Sequence, residues 1–187
     1  MRRAVSWAVT LNLAWFGVEF AVARAIGSVS LFADSIDFLE DASVNGLILL
    51  ALEWGPRRRG ALGLVLAGIL LVPAVATIWT AWGKLLSPVP PAAWPLSATA
   101  LGALAINLIC AYRLASVRDA AGSLSRAAFL SARNDVLANL AMIAAGGVTL
   151  RWRSAWPDLA VGLGILLMNL DASREVYQAA SEELRSR

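Results

Sequence analysis

The chain has 187 residues, 59% of them hydrophobic and 16% charged, with a formal net charge of +3, one cysteine and no histidine. Its apolar residues come in blocks of about twenty, without the polar outer face of a soluble bundle, and its mean hydropathy is +0.67; this excludes a soluble helical domain and points to a polytopic membrane protein. The excess arginines lie between apolar blocks, so they speak to topology and not to nucleic acid, and the missing histidine removes the commonest zinc ligand and the commonest neutral-pH proton shuttle.

The first span is predicted over 5–26. Met1-Arg2-Arg3, an apolar run and Ala21-Val22-Ala23 have the outline of a secretory signal, but Asn12 and Glu19 interrupt the run and further spans follow at once, so this helix is expected to be retained. A tight link at Gly27-Ser28 leads to a second span over 30–53. Inside it lie Asp34, Asp37, Glu40 and Asp41, and each acid costs a few kcal/mol unless it is paired, protonated or metal-bound. Asp37, Asp41 and Asn45 recur at i, i+4 and i+8, so their oxygens form a ladder on one helical face.

The third span, 60–82, follows Pro56 and Arg57-Arg58-Arg59; a loop with Pro88, Pro90, Pro91 and Pro95 separates it from the fourth, 93–113. Arg113, Arg118 and Arg126 bracket the link to the fifth, 126–149, and Arg151, Arg153 and Pro157 precede a short sixth, 157–173. The membrane domain is thus expected over 1–173, with 174–187 a short cytoplasmic tail and no C-terminal cytosolic domain. Alternating the ends gathers Arg2, Arg3, Arg57, Arg58, Arg59, Arg113, Arg118, Arg126, Arg174, Arg185 and Arg187 on one side, against Arg24, Lys84, Arg151 and Arg153 on the other. The positive-inside rule then places both termini in the cytoplasm, in what we expect to be a bacterial inner membrane. Trp79, Trp82, Trp94, Trp152 and Trp156 fall at the outer boundary, as an aromatic belt would.

The fifth span repeats the pattern of the second, with Ser131, Asp135 and Asn139 at i, i+4 and i+8 and the same D-x-x-x-N ending. The two spans run antiparallel, and at about 1.5 Å per residue both ladders reach the middle of the bilayer. Asp37, Asp41, Asp135 and the Ser131 hydroxyl together make a four-oxygen set for a divalent cation. Carboxylates one turn apart in a low dielectric repel each other, so the empty site is expected to keep at least one proton, which the cation displaces.

These features resemble the cation diffusion facilitators, proton-coupled exporters of divalent metals. The resemblance rests on Gly27-Ser28-x-Ser30-Leu31-x-Ala33-Asp34-Ser35 leading into Asp37-x-x-x-Asp41, on Asn12 and Glu19, on Asp135, and on Pro157-Asp158. It implies an all-α, six-helix cation-efflux-like bundle with its transport site on Asp37, Asp41, Ser131 and Asp135. Three departures from the family's pattern are expected: Ser131 where the family has histidine or aspartate, so that Asn134 or a water completes the shell, no ferredoxin-like cytosolic domain, and no histidine-rich loop.

The remaining polar residues take supporting places in this reading. Asp34 suits release at the outer mouth, Asn12 and Glu19 share a face and line the same cavity, and Asn45 and Asn139 back the site instead of ligating. Arg133 is the natural partner for Glu40 or Glu19. Oxygen-only ligation favours manganese, iron or cobalt and also accommodates zinc; no permanent cofactor is implied, and the partners are the bilayer, the transported metal with protons as counter-ion, and a second copy of the chain in a homodimer. Gly102, Gly146, Gly147, Gly162 and Gly164 suit close helix contacts. The competing reading is a non-transporting membrane subunit that docks or assembles another protein. A permease for an organic solute would want a paired cation for its substrate, and an enzyme would want a nucleophile beside a base.

Overall fold

The computed structural model describes residues 2–51, 56–115 and 123–185. These form six helices and, among the described residues, no strand: α1 (Arg2–Ile26), α2 (Val29–Ala51), α3 (Pro56–Leu86), α4 (Ala93–Ala115), α5 (Ser123–Trp152) and α6 (Trp156–Arg185). Every expected span has its helix. Several boundaries shift by a few residues, two of them, the start of α3 and the end of α6, for a local reason. Pro56 opens α3 instead of preceding it, because a first-turn position needs no N–H donor, and Pro95 likewise lies in the first turn of α4. The charged segment after residue 173 is helical and continuous with α6, which runs to Arg185.

The distribution of polarity is that of a soluble protein turned inside out. Leu101, Leu108, Leu137, Leu140, Leu150, Leu167, Val75 and Ile78 face outward, while Asn12, Glu19, Ser30, Asp34, Asn107, Asp135, Asn139 and Asp158 are buried. In water that arrangement would expose far too much contiguous apolar surface; in hydrocarbon it puts the polar groups where helices can satisfy one another. Among the described residues, Val5–Ile26 and Ala93–Tyr112 are long and apolar enough to cross a bilayer, and Trp156–Met168 is a shorter apolar stretch. Trp79, Trp82, Trp94, Trp152 and Trp156 are all exposed.

The strongest packing joins α1 to α2, α4 to α5 and α3 to α6, and α2 alone touches all five other helices. Its apolar face supplies Leu31, Phe32 and Ile36 to a core completed by Ala23, Leu96, Ala100, Met142 and Ile165. The contact between α2 and α5 is slight by comparison.

The start of α2 is set by an unusual concentration of partners. Gly27, at φ 64°, ends α1 in the left-handed conformation, and the Ser28 N–H closes back on the Ala23 carbonyl at 3.1 Å. A helix begins with N–H groups that have no intrahelical acceptor. Here the Leu31 N–H goes to Ser28 Oγ at 3.2 Å, the Val29 N–H to Asp158 Oδ2 at 2.9 Å and the Ser30 N–H to Asp158 Oδ1 at 3.2 Å. Asp158, reaching across from the first turn of α6, also accepts from Ser28 Oγ at 2.5 Å and Ser30 Oγ at 2.6 Å. Lys84, near the end of α3, lies 3.5 Å from Asp158 Oδ2 and donates to the Gly27 carbonyl.

One turn along α6 from Asp158, Gly162 lies against the same first turn of α2. A Cβ there would come within 2.7 Å of Val29 Cγ1 and 2.8 Å of both the Ser30 nitrogen and the Val29 carbonyl carbon. Backbone atoms cannot rotate away, so Gly162→Ala is expected to cost about 1–3 kcal/mol by overpacking, whereas Gly164→Ala, with open space at its Cβ, is expected to raise stability slightly. Thermal unfolding of the two detergent-solubilised variants checks this contrast.

Candidate cation site

The tight α1–α2 link fixes which residues meet. Asn12 and Asp41 lie equally far from its midpoint, and so do Glu19 and Asp34. Asn12 Nδ2 accordingly reaches Asp41 Oδ2 in a long contact of 3.5 Å, and Glu19 sits beside Asp34. Asn12 is held from its other side by Cys110 of α4, whose thiol faces Asn12 Oδ1 at 3.5 Å. Asn12 and Glu19 thus both turn from α1 onto the acids of α2.

The two D-x-x-x-N ladders match in bonding as well as in spacing. Asn45 Nδ2 donates to the Asp41 backbone carbonyl at 2.8 Å, and Asn139 Nδ2 donates to the Asp135 backbone carbonyl at 2.7 Å. Each asparagine therefore commits its amide nitrogen to its own helix, one turn back, and braces the turn that carries the aspartate. Among the described residues, Asn139 Oδ1 stays buried without a partner, as does Asp135 Oδ2.

Asp135 lies within electrostatic reach of Asp34, Asp37, Glu40 and Asp41, so the acids of α2 and the acid of α5 share one interior. Asp34 and Asp135 are buried, and Asp37 and Asp41 are partly exposed. Among the described residues, no three acid or thiol groups converge closely enough to hold one ion between them. The described acids are neighbours without closing on a point. The side chains of Ser131, Asn134 and Arg133 lie outside the described residues, and with them the fourth oxygen, the alternative to it and the expected partner of Glu40 or Glu19.

Glu19 and Asp34 form a second feature. Both are fully buried, and among the described residues no donor from elsewhere reaches any of their four carboxyl oxygens, which have only each other. Burying a carboxylate without a donor is costly, and burying two side by side is costlier, so such a pair holds a proton or a cation.

Several polar groups were invisible or misplaced in the sequence. Cys110 read only as a lone thiol, and Asn107, buried on α4 one turn before it, passed unremarked although an asparagine within an apolar span is itself a signal. Lys84 read as a topology charge, yet it is buried beside Asp158.

Over residues 5–184, nearly its whole length, the sequence matches the cation efflux transmembrane domain family. No match is found among curated proteins.

The bare Glu19–Asp34 pair carries its own test. Glu19→Gln keeps the shape of the side chain and places an N–H donor beside Asp34, so it is expected to leave the thermal unfolding midpoint unchanged or raise it by the equivalent of about 0.5–1.5 kcal/mol. Glu19→Leu, which supplies no donor, gains no such bond, and comparing the two by thermal unfolding separates hydrogen bonding from loss of charge.

Proposed function

Since the chain belongs to the cation efflux family and is therefore an integral-membrane cation transporter, we propose that it exports a divalent metal ion in exchange for protons, through a carboxylate site between α2 and α5. Asp37, Asp41 and Asp135 are the anionic ligands and Ser131 supplies the fourth oxygen. The observation that carries this reading is that carboxyl groups from two antiparallel helices share one polar interior in a bundle whose outer surface is apolar.

The mechanism follows from charge. A divalent cation entering from the cytoplasmic side neutralises the acids and displaces the proton they hold, drawing Asp135 toward the α2 ladder. Rocking of the bundle around the site then exposes it outward, where protons compete the metal off. Glu19 and Asp34 lie on the way to the α1–α2 link, which the arginine distribution places outside, and so suit release. Oxygen ligands select hard or borderline ions: manganese, iron(II), cobalt or zinc. The termini face the cytoplasm of a bacterial cell in this reading, and the ions and protons are cargo, with no resident cofactor.

The test is flux in proteoliposomes carrying an imposed pH gradient, with each of the four ions in turn. Uptake is expected to follow the gradient, to fall by about tenfold or more in Asp41→Asn, since even groups that only orient metal ligands are worth 10- to 100-fold, and to persist in Asn45→Ala, whose amide nitrogen serves its own helix. Flux indifferent to the gradient would remove the antiport step. Cation binding without flux would favour the docking-subunit alternative.

A further inference from the structure

Asp158 and Lys84 join four helix ends at one point, and neither belongs to the carboxylate site. Asp158, from α6, accepts four hydrogen bonds from Ser28, Val29 and Ser30 at the start of α2. Lys84, from the last turns of α3, pairs with Asp158 and donates to Gly27, the residue that closes α1. Both side chains are buried, Asp158 entirely. Gly162 presses α6 against the same two residues of α2 that Asp158 grips.

Starting a helix does not require this much. Ser28 already caps the Leu31 N–H, and neutral side chains could serve the other two donors. A buried ion pair adds little net stability over neutral groups of the same shape, but it fixes geometry, because displacing either charge from the other is expensive. What is fixed here is the axial height and rotation of α2. Asp37 and Asp41 follow Val29 by eight and twelve residues, placing them about 12 and 18 Å down the helix from the junction. A rotation equivalent to one residue, about 100°, would carry both off the face that meets Asp135. Direct packing between α2 and α5 is slight, so the register between their acids depends on what α2 contacts elsewhere, the junction with α6 and α3 among it.

We propose that Asp158 and Lys84 are positioning residues for cation transport: the buried junction they form with the first turn of α2 holds Asp37 and Asp41 in register with Asp135. The inference rests on the carboxylate site proposed above. It assigns to α3 and α6 a part in cation affinity although neither helix supplies a ligand.

The experiment measures two quantities on the purified full chain in lipid nanodiscs: the melting midpoint without metal, and the apparent affinity for manganese or zinc from metal-induced stabilisation. Asp158→Asn and Lys84→Gln each strand the opposite charge and are expected to lower the midpoint. The double variant Asp158→Asn/Lys84→Gln removes both charges, so its midpoint is expected to return toward wild type while its cation affinity stays about tenfold or more below it. A purely structural junction would let affinity recover together with stability. Gly162→Ala keeps both charges and displaces α6 from the same turn, and is expected to weaken affinity in the same direction, which provides a readout even where the double variant does not fold. Wild-type affinity in a folded double variant, or in Gly162→Ala, would overturn the positioning role. A wild-type protein whose midpoint does not respond to either metal, or a response that survives in Asp41→Asn, would overturn the carboxylate site and this inference with it.

Discussion

A helix that begins inside a low-dielectric bundle must find acceptors for its first N–H groups from protein, because no water is at hand to take them. At the start of α2 those acceptors come from Ser28 and from Asp158, a residue 130 positions further along the chain. The consequence reaches beyond the cap. A local serine alone would fix α2 only to itself, whereas a carboxylate borrowed from α6 makes the beginning of one helix conditional on the placement of another. Lys84 extends the condition to α3 and, through the Gly27 carbonyl, to the end of α1.

From that point the rest of the interior is determined by lengths. The left-handed Gly27 turns the chain without a spacer, so α1 and α2 run back past each other in fixed register, and Asn12 and Glu19 fall opposite Asp41 and Asp34. A one-residue insertion in that link would rotate one helix against the other by about 100° and separate both pairs. The polar interior is therefore a consequence of a tight turn as much as of the acids themselves. The outward face needs no such specification. Leu, Val and Ile exposed to hydrocarbon lose nothing, which is why most of the specific contacts in this chain are polar ones between helices.

Much of this was legible beforehand. Six blocks of apolar residues predicted six helices, and helical spacing alone identified Asp37–Asp41–Asn45 and Ser131–Asp135–Asn139 as equivalent ladders, an equivalence that extends to the backbone carbonyl each asparagine bonds. Periodicity sees neighbours within one helix, so it succeeded there. It cannot see partners contributed by another helix, and so Lys84 passed for a loop charge and Asp158 for a family mark, when the pair ties α3 and α6 to the first turn of α2. The charged tail joins α6 for a different reason. Hydropathy falls after residue 168, but charged residues propagate a helix as readily as apolar ones once it has left the hydrocarbon. The fourth oxygen of the site, expected from Ser131, falls outside the described residues, and so does Arg133.

The buried acids divide into two kinds, and the division bears on how such a protein works. Asp158 accepts four hydrogen bonds and faces a lysine, so its lone pairs are committed to holding helices together. Among the described residues, Glu19 and Asp34, equally buried, receive no donor from any residue but each other, and Asp135 keeps one oxygen unpartnered. A folding chain that needed these carboxyls only as glue could have met them with the serines, asparagines and amides it places elsewhere in the same interior. Withholding donors leaves lone pairs that only a proton or a metal ion can satisfy. On the proposed reading that is the functional distinction: donors are concentrated where the scaffold must not move and, among the described residues, withheld from Glu19, Asp34 and one oxygen of Asp135. A transporter built this way has to tolerate unsatisfied acids in its resting interior, and the Asp158–Lys84 junction supplies the rigidity that lets it do so without losing register.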